Sequence, residues 1–439
     1  MERKLSKKEF IGVSLLLFGM IFGSGNLIFP PMLGNQAGTS MVTALMGFAL
    51  TAVIFPVLGI LAISKTNGVQ NLGNRVGPIF AVVYPAIVFL AIGPGIAIPR
   101  NGSLAFEMSV LPYLAGDTSV VLVRFIYTIL FFGLAYYLCL QPGKLVDRIG
   151  NIVTPVLFGL IIIFFIGSVT TITTDVAAPT PAYDSPFTTG FLEGYNTMDT
   201  LAALNFGLVI TMAIKGYGVK NEQSIIKYAS KAGFLAGTIL FIVYAMLAYV
   251  GRMSSAGNQG VENGGQILFN LTENVFGVFG ALILILIFTL ACLSTAVGLI
   301  TSVSEYFAKL TEGKVSYKQW MFVYTLIAFV LANFGLNTIL KFSLPLLAAI
   351  YPTAIVLISM ALFQDVFKFD QKTYRATIYV TLFISIISGF HAAEITLPVL
   401  SDLAAMLPFY EEGLEWVVPA LATLVGMTTY SKVQKNNDG

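Results

Sequence analysis

The chain is written as long apolar runs separated by short polar joints, and the run length names the elements. A helix needs about 17 to 25 apolar residues to cross a bilayer. Runs of that kind fall near residues 10–34, 39–63, 78–112, 121–139 and 148–172. After a more polar segment at 173–197, others follow near 187–217, 226–250, 276–305, 318–335, 338–363, 375–393 and 414–430. The pattern predicts an all-α polytopic membrane protein of about twelve spans, built as one transmembrane domain over 1–439.

Two runs are not spelled like ordinary membrane helices. In the first, FGMIFGSGNLIFPPMLGNQAG at 18–38, the apolar pattern is cut by Gly23-Ser24-Gly25-Asn26 and then by Pro30-Pro31. In the sixth, GYNTMDTLAALNFGLVITMAIKGYG sets Asp199, Asn205 and Gly207 among apolar residues, with its middle near Ala203. In hydrocarbon every backbone N–H and C=O needs a partner, so a weakened helix at mid-depth is tolerated only where it lines a protected cavity. Small residues at a helix contact are the plainer reading of such glycines. Asn26 beside them, two nearby prolines and a second break favour a site. The first span runs inward to outward and the sixth the reverse, so each heads a five-helix unit of opposite topology, about 10–172 and 187–363. That is the inverted-repeat plan of many secondary transporters. Two helices, about 375–430, are left outside the repeats, free for a dimer contact.

Composition removes the soluble alternatives. The chain is 56% hydrophobic and only 10% charged, with a mean hydropathy of +0.84, where soluble domains carry about 25% charge. The start, MERKLSKKEF, has the positive region of a signal peptide, but no small-residue cleavage site follows, so the first helix is expected to be retained. Of the 24 Lys and Arg, most fall on alternate joints: Arg3 to Lys8, Lys65 and Arg75, Lys144 and Arg148, Lys215 to Lys231, Lys309 to Lys318, Lys368 to Arg375, and Lys432 with Lys435. The other joints hold Asp117, Asp175, Asp184, Glu193, Glu262, Glu273, Glu394, Asp402, Glu411 and Glu412. The positive-inside rule then puts both termini in the cytoplasm. Cys139 and Cys292 lie in apolar runs and His391 is the only histidine, which leaves disulfides, cofactors and transition-metal sites without support.

FGSGNLIFPPMLG in span one, AIGPGIAIPRNGSLAFE in span three, GYNTMDTLAALNFG at span six and TLACLSTAVGL in span eight together resemble the bacterial branched-chain amino acid:cation symporters of the BrnQ type. The resemblance runs along almost the whole chain. It implies a LeuT-like fold with a 5+5 inverted repeat and discontinuous helices 1 and 6, in the bacterial inner membrane. It also implies uptake of leucine, isoleucine and valine with sodium or a proton. It names no enzyme, no nucleic-acid partner and no cofactor beyond the coupling ion, and it fits a monomer or a homodimer.

The residues can be read as chemistry beside that resemblance. A substrate carboxylate needs donors, which the N–H groups of Ser24, Gly25 and Asn26 at the start of an outer half-helix would supply. Its ammonium needs acceptors, expected from carbonyls around Gly19 to Phe22 and around Leu201 to Leu204. Gly23 would let the ligand come close to the backbone. Candidate lining residues are Phe22, Met198, Leu201, Ala203, Leu204 and Phe206, with Ile92 and Phe288, although each of these is also an ordinary core residue type. LeuT-like folds place sodium between the unwound part of span one and hydroxyls on span eight; Ala291, Ser294 and Thr295, with the Gly19 and Phe22 carbonyls, match that pattern. Mid-helix Ser and Thr also commonly bond their own i−4 carbonyls. Span five offers no lysine to replace the ion, which favours sodium, while Asp199, expected a turn outward from the break, could exchange protons. Arg100, about 33 Å into span three, and Lys341 near the outer end of span ten could form an outer gate with Asp199, or all three could sit at headgroup depth. The alternative is a proton-coupled carrier of the same fold for another small neutral amino acid or solute. An enzyme would need more acid/base groups in one cavity, and a channel would need repeated rings of charge or carbonyls.

Overall fold

The computed structural model describes residues 3–66, 68–114, 118–172, 175–258 and 260–437. Asp117, and positions 173 and 174 of the polar segment, lie outside the described residues. The first helix, α1 (Lys7–Ile21), starts from a capping box in which Ser6 and Glu9 exchange backbone and side-chain bonds of 3.2 and 2.8 Å. It stops at Phe22, and α2 (Ser24–Ala37) begins after the extended residue Gly23. The chain returns through α3 (Met41–Ala49), a π-helical turn at Leu50–Ile54, α4 (Phe55–Thr66) and α5 (Val69–Asn74). Then come α6 (Pro78–Leu90), α7 (Ala97–Ser109), α8 (Val120–Cys139) and α9 (Thr154–Thr171). Between α6 and α7 the chain leaves helical geometry at Gly93, beside Pro94, so the third span is also interrupted.

Next come α10 (Pro186–Glu193), α11 (Asp199–Gly216), α12 (Glu222–Met253), α13 (Gly264–Phe276), α14 (Val278–Leu310), α15 (Tyr317–Ala332) and α16 (Leu336–Phe367). Last come α17 (Gln371–Ala392), α18 (Leu400–Ala405) and α19 (Val417–Asn437). Among the described residues, nine runs are long and apolar enough to cross a membrane by length and composition. The other expected spans are helical but do not meet that standard. The break at Phe22 leaves α1 with 15 residues, α15 has 16, and α19 runs into a polar end.

Large apolar side chains ring the outside, among them Ile79, Leu130 and Phe342, as expected of a surface solvated by lipid. The centre is packed by fully buried aromatics, including Phe18, Phe22, Phe48, Phe206, Tyr244 and Tyr351. The outer half of the broken first span lies along α12. A Cβ on Gly34 would fall 1.8 Å from the Ala248 carbonyl oxygen, and one on Gly251 would fall 2.0 Å from that of Pro31. Glycine at both positions lets the two backbones touch.

Candidate functional site

The site is built on the two broken helices. Gly23 is extended, with φ −122° and ψ −152°, so the helical ladder is interrupted between Ile21 and Ser24. Asn26 closes the gap from the far side, its Oδ1 accepting the Gly23 N–H at 2.9 Å. Its amide nitrogen then donates to both oxygens of Asp199 at 2.8 Å and contacts the Tyr244 hydroxyl. Tyr244 also donates to Asp199 Oδ2 at 2.5 Å. Pro30 and Pro31 sit inside α2 and lack the N–H groups that the carbonyls of Asn26 and Leu27 would otherwise receive.

The second break falls earlier than the sequence reading placed it. A 3₁₀ turn at Gly194–Thr197 ends in Met198, which is left-handed at φ 66°, and α11 begins at Asp199. Asp199 therefore stands at the break and not a turn outside it. Leu201, Ala203, Leu204 and Phe206 lie in continuous helix, so the carbonyls of 201–204 are not freed to receive an ammonium. The expected middle near Ala203 was read from Asp199, Asn205 and Gly207 in an apolar run, and neither Asn205 nor Gly207 unwinds the helix. Gly207 is a packing glycine, where a Cβ would fall 2.8 Å from Ile63. Asn205 is fully buried and both of its amide atoms lack a hydrogen-bond partner.

Around the breaks lies a cavity with room for about one water molecule, lined by Gly23, Ser24, Asn26, Ile92, Thr197, Met198, Asp199, Ala202 and Thr295, with Arg100 and Asn101 from α7. The amino acid expected from the sequence is far larger and would bind here only if these walls part. Of the apolar lining residues named from sequence, Ile92 and Met198 reach the cavity. Phe22 stacks between Phe18 and Tyr244 at centroid distances of 5.3 and 6.3 Å. Ala203 faces Gly59 of α4, and Phe206 lies beside Gly298 of α14. Leu204 lines a different cavity of about 350 Å³, which it shares with Lys215 and Lys309. Leu201 and Phe288 are fully buried core.

The Ser24 N–H, expected to meet a carboxylate, is taken by Asn101 Oδ1 at 2.9 Å. Arg100 is buried and donates to Ser24 Oγ at 3.0 Å and to the Asn196 carbonyl at 2.8 Å. It also lies over the Phe29 ring. Arg100 and Asp199 line one cavity without a direct ion pair among the described residues. Lys341 is exposed on α16 and is not among the residues that line this cavity. Gly25 permits the closure, because a Cβ there would fall 2.5 Å from Arg100 Nη2 and 3.1 Å from the Asn196 carbonyl oxygen.

The residues named for a cation divide. Thr295 is pressed against the first break: a Cβ on Gly23 would fall 2.7 Å from Thr295 Oγ1, a buried oxygen without a hydrogen-bond partner. Ser294 Oγ instead donates to the Leu290 carbonyl of its own helix at 2.7 Å. Ala291 is fully buried on α14. Gly19 packs on Thr154 of α9, whose buried hydroxyl also lacks a partner. Sequence reasoning missed Asn101, Tyr244 and Thr197. Asn101 carried a signal, as an amide beside Arg100 in an apolar run. Tyr244 carried none, since tyrosines in apolar runs are common at membrane interfaces.

Broken first and sixth helices in an all-helical bundle define a membrane transporter of the LeuT-like fold. The solved structures agree on the fold. MhsT in complex with L-phenylalanine matches 97% of this chain and 99% of its own at 15% identity, with a TM-score of 0.56. Mhp1, a nucleobase-cation-symport-1 family transporter, matches 96% and 92% at 13% identity, with a TM-score of 0.59. Within that class the chain belongs to the branched-chain amino acid transport protein family, whose model matches residues 6–434. It is 40% identical to the branched-chain amino acid permease BraB of Bacillus subtilis, over 97% of this chain and 96% of that one. It is 38% identical to the branched-chain amino acid transport system 2 carrier protein of Pseudomonas aeruginosa, over 95% and 94%. With the permease BrnQ of Escherichia coli K12 it shares 33% identity over 97% and 96%.

Proposed function

We infer that this chain takes up leucine, isoleucine and valine together with sodium, by alternating access, across the bacterial cytoplasmic membrane with both termini inside. The observation that carries the reading is the break at Phe22–Gly23, where Thr295 holds a buried, unpartnered hydroxyl against Gly23. A hard cation is served by oxygens of this kind, and the freed carbonyl of Phe22 lies in the same break. The family and the relatives' names support a branched-chain substrate. An apolar side chain is told apart by shape alone, at about 1 to 3 kcal/mol per methylene, so leucine, isoleucine and valine compete.

Asp199 supports a second reading, a proton as coupling ion, because a carboxyl group stands at the break itself with Asn26 and Tyr244 on its oxygens. Labelled leucine uptake into proteoliposomes separates the two. The sodium reading expects uptake to collapse when sodium is replaced by potassium at every pH, and expects the Ser294→Ala, Thr295→Ala double variant to lose its sodium dependence. Uptake that persists in potassium and follows a pH gradient would establish the proton reading instead. Displacement of leucine by excess valine, and not by alanine or lysine, tests the substrate class.

A further inference from the structure

Asn205 is a buried polar side chain that the central site leaves unused. It lies in continuous helix, fully shielded, and neither its Oδ1 nor its Nδ2 has a hydrogen-bond partner among the described residues. Asn26 and Asn101, on the wall of the central cavity, are each paired through both amide atoms. A mid-membrane amide left bare on both atoms is costly and calls for a ligand.

Its place on α11 says where that ligand passes. Ala202, three residues before it, lines the central cavity, and Leu208, three residues after it, lines the cavity of about 350 Å³ on the side of Lys215 and Lys309. Residues three apart are neighbours on a helix surface, so one strip of α11, about 9 Å long, runs from one cavity wall to the other through the bare amide. Two other elements also reach both walls, α14 through Leu299 and Tyr306 and the third span through Ile92 and Phe89. The septum between the cavities is otherwise packed apolar surface. The Phe89 and Tyr306 rings stack at 4.1 Å, and a Cβ on Gly93 would fall 2.8 Å from Val303. Ser302 of α14 spends its hydroxyl on the Leu299 carbonyl at 3.1 Å, whereas Asn205 keeps both of its groups unspent.

We propose that Asn205 is a transit contact for the substrate. When the septum parts toward the side of Lys215 and Lys309, the amide meets the charged end of the leaving amino acid, its Oδ1 accepting from the ammonium and its Nδ2 donating to the carboxylate. The amide itself sets this pairing, since it carries a donor and an acceptor on one side chain. A sodium ion satisfies Oδ1 alone, and an inorganic anion satisfies Nδ2 alone. Leaving the amide bare also raises the free energy of the closed septum relative to the open one. The choice of leucine as cargo, and of the cytoplasm as the side reached, rests on the uptake reading above; the position rests on the unpaired amide.

Labelled leucine transport measured from each side, in right-side-out and inside-out membrane vesicles, tests the contact. Asn205→Leu keeps the volume and removes both hydrogen-bonding groups. It should raise the half-saturating leucine concentration about tenfold from the cytoplasmic side, as lost hydrogen bonds to a charged group do, and far less from outside. Asn205→Gln, which keeps the amide, should recover part of the loss. Because Asn205→Leu removes a bare amide from the core, its midpoint for aggregation on heating should not fall. A lower midpoint with both sides weakened equally makes the amide structural and overturns the proposal, as does an unchanged half-saturation from the cytoplasmic side. Asn205→Cys, in a background freed of Cys139 and Cys292, tests the position without leucine. A membrane-impermeant thiol reagent should label it in inside-out vesicles and not in right-side-out ones. A cysteine that resists from both sides overturns the transit contact whatever the cargo. Labelling in a protein that carries no leucine overturns the uptake reading and keeps Asn205 on the route.

Discussion

Asn26 is the residue through which the two breaks know of each other. Its Oδ1 caps one discontinuity and its amide holds the carboxyl group that opens the other. Replacement by leucine removes both bonds and leaves Asp199 with Tyr244, at a cost of about 1 to 3 kcal/mol for a buried acceptor. Asn26→Leu is therefore expected to raise the leucine concentration for half-maximal uptake by roughly tenfold while the protein still inserts, as gel filtration and an uptake titration would report. Thr295 allows a finer separation. Thr295→Ser keeps the hydroxyl and should keep sodium dependence, whereas Thr295→Val keeps the shape and should lose it. Uptake by the valine variant that still rises with sodium would remove this side chain from the ion site.

At the scale of the element, the first break was legible because its residues are extreme in composition: two glycines, an asparagine and two prolines within nine positions of an apolar run. The helices also fall where the apolar runs put them. The second break was legible only as a region. Its turning residue is Met198, which holds φ 66° although nothing about methionine advertises a left-handed backbone. Gly207, which looked like a breaker, is absorbed by contacts with Ile63 of α4, and Asn205 is buried within continuous helix. Those contacts are non-local, so span-by-span reading could not assign them, and for the same reason Tyr244 and Asn101 were invisible as members of the site. One element-level contact is testable by itself. Gly34→Ala would drive a methyl group into the Ala248 carbonyl, forcing α2 and α12 apart, and overpacking of this kind costs about 1 to 3 kcal/mol. A lower midpoint for aggregation on heating is expected, and an unchanged one would mean that the two helices are loosely joined.

For the whole molecule, three separate cavities lie against the second broken helix and the turn before it. About 830 Å³ lies above the turn at Asn196, the central space holds about one water, and about 350 Å³ lies on the side that carries Lys215 and Lys309. The alternating access proposed above would require each side to open while the other is shut, as one bundle rocks against another around the fixed site. The glycine contacts tie α2 to α12, so the outer half of the first span should move with that helix. Arg100, which joins Ser24 at the start of α2 to the Asn196 carbonyl, is the closure we propose for the outward side. Removing its charge should unlatch that side alone. In a background freed of Cys139 and Cys292, which are buried and in no disulfide, Ala202→Cys places a thiol on the cavity wall. Adding Arg100→Gln is expected to raise its labelling by a membrane-impermeant thiol reagent applied from outside several-fold, and to slow leucine uptake because the outward side no longer shuts. Unchanged labelling would show that Arg100 stabilises the bundle without gating it, and the outer closure would then have to be sought in the stacked pair Tyr195 and Tyr351, whose rings lie 4.1 Å apart.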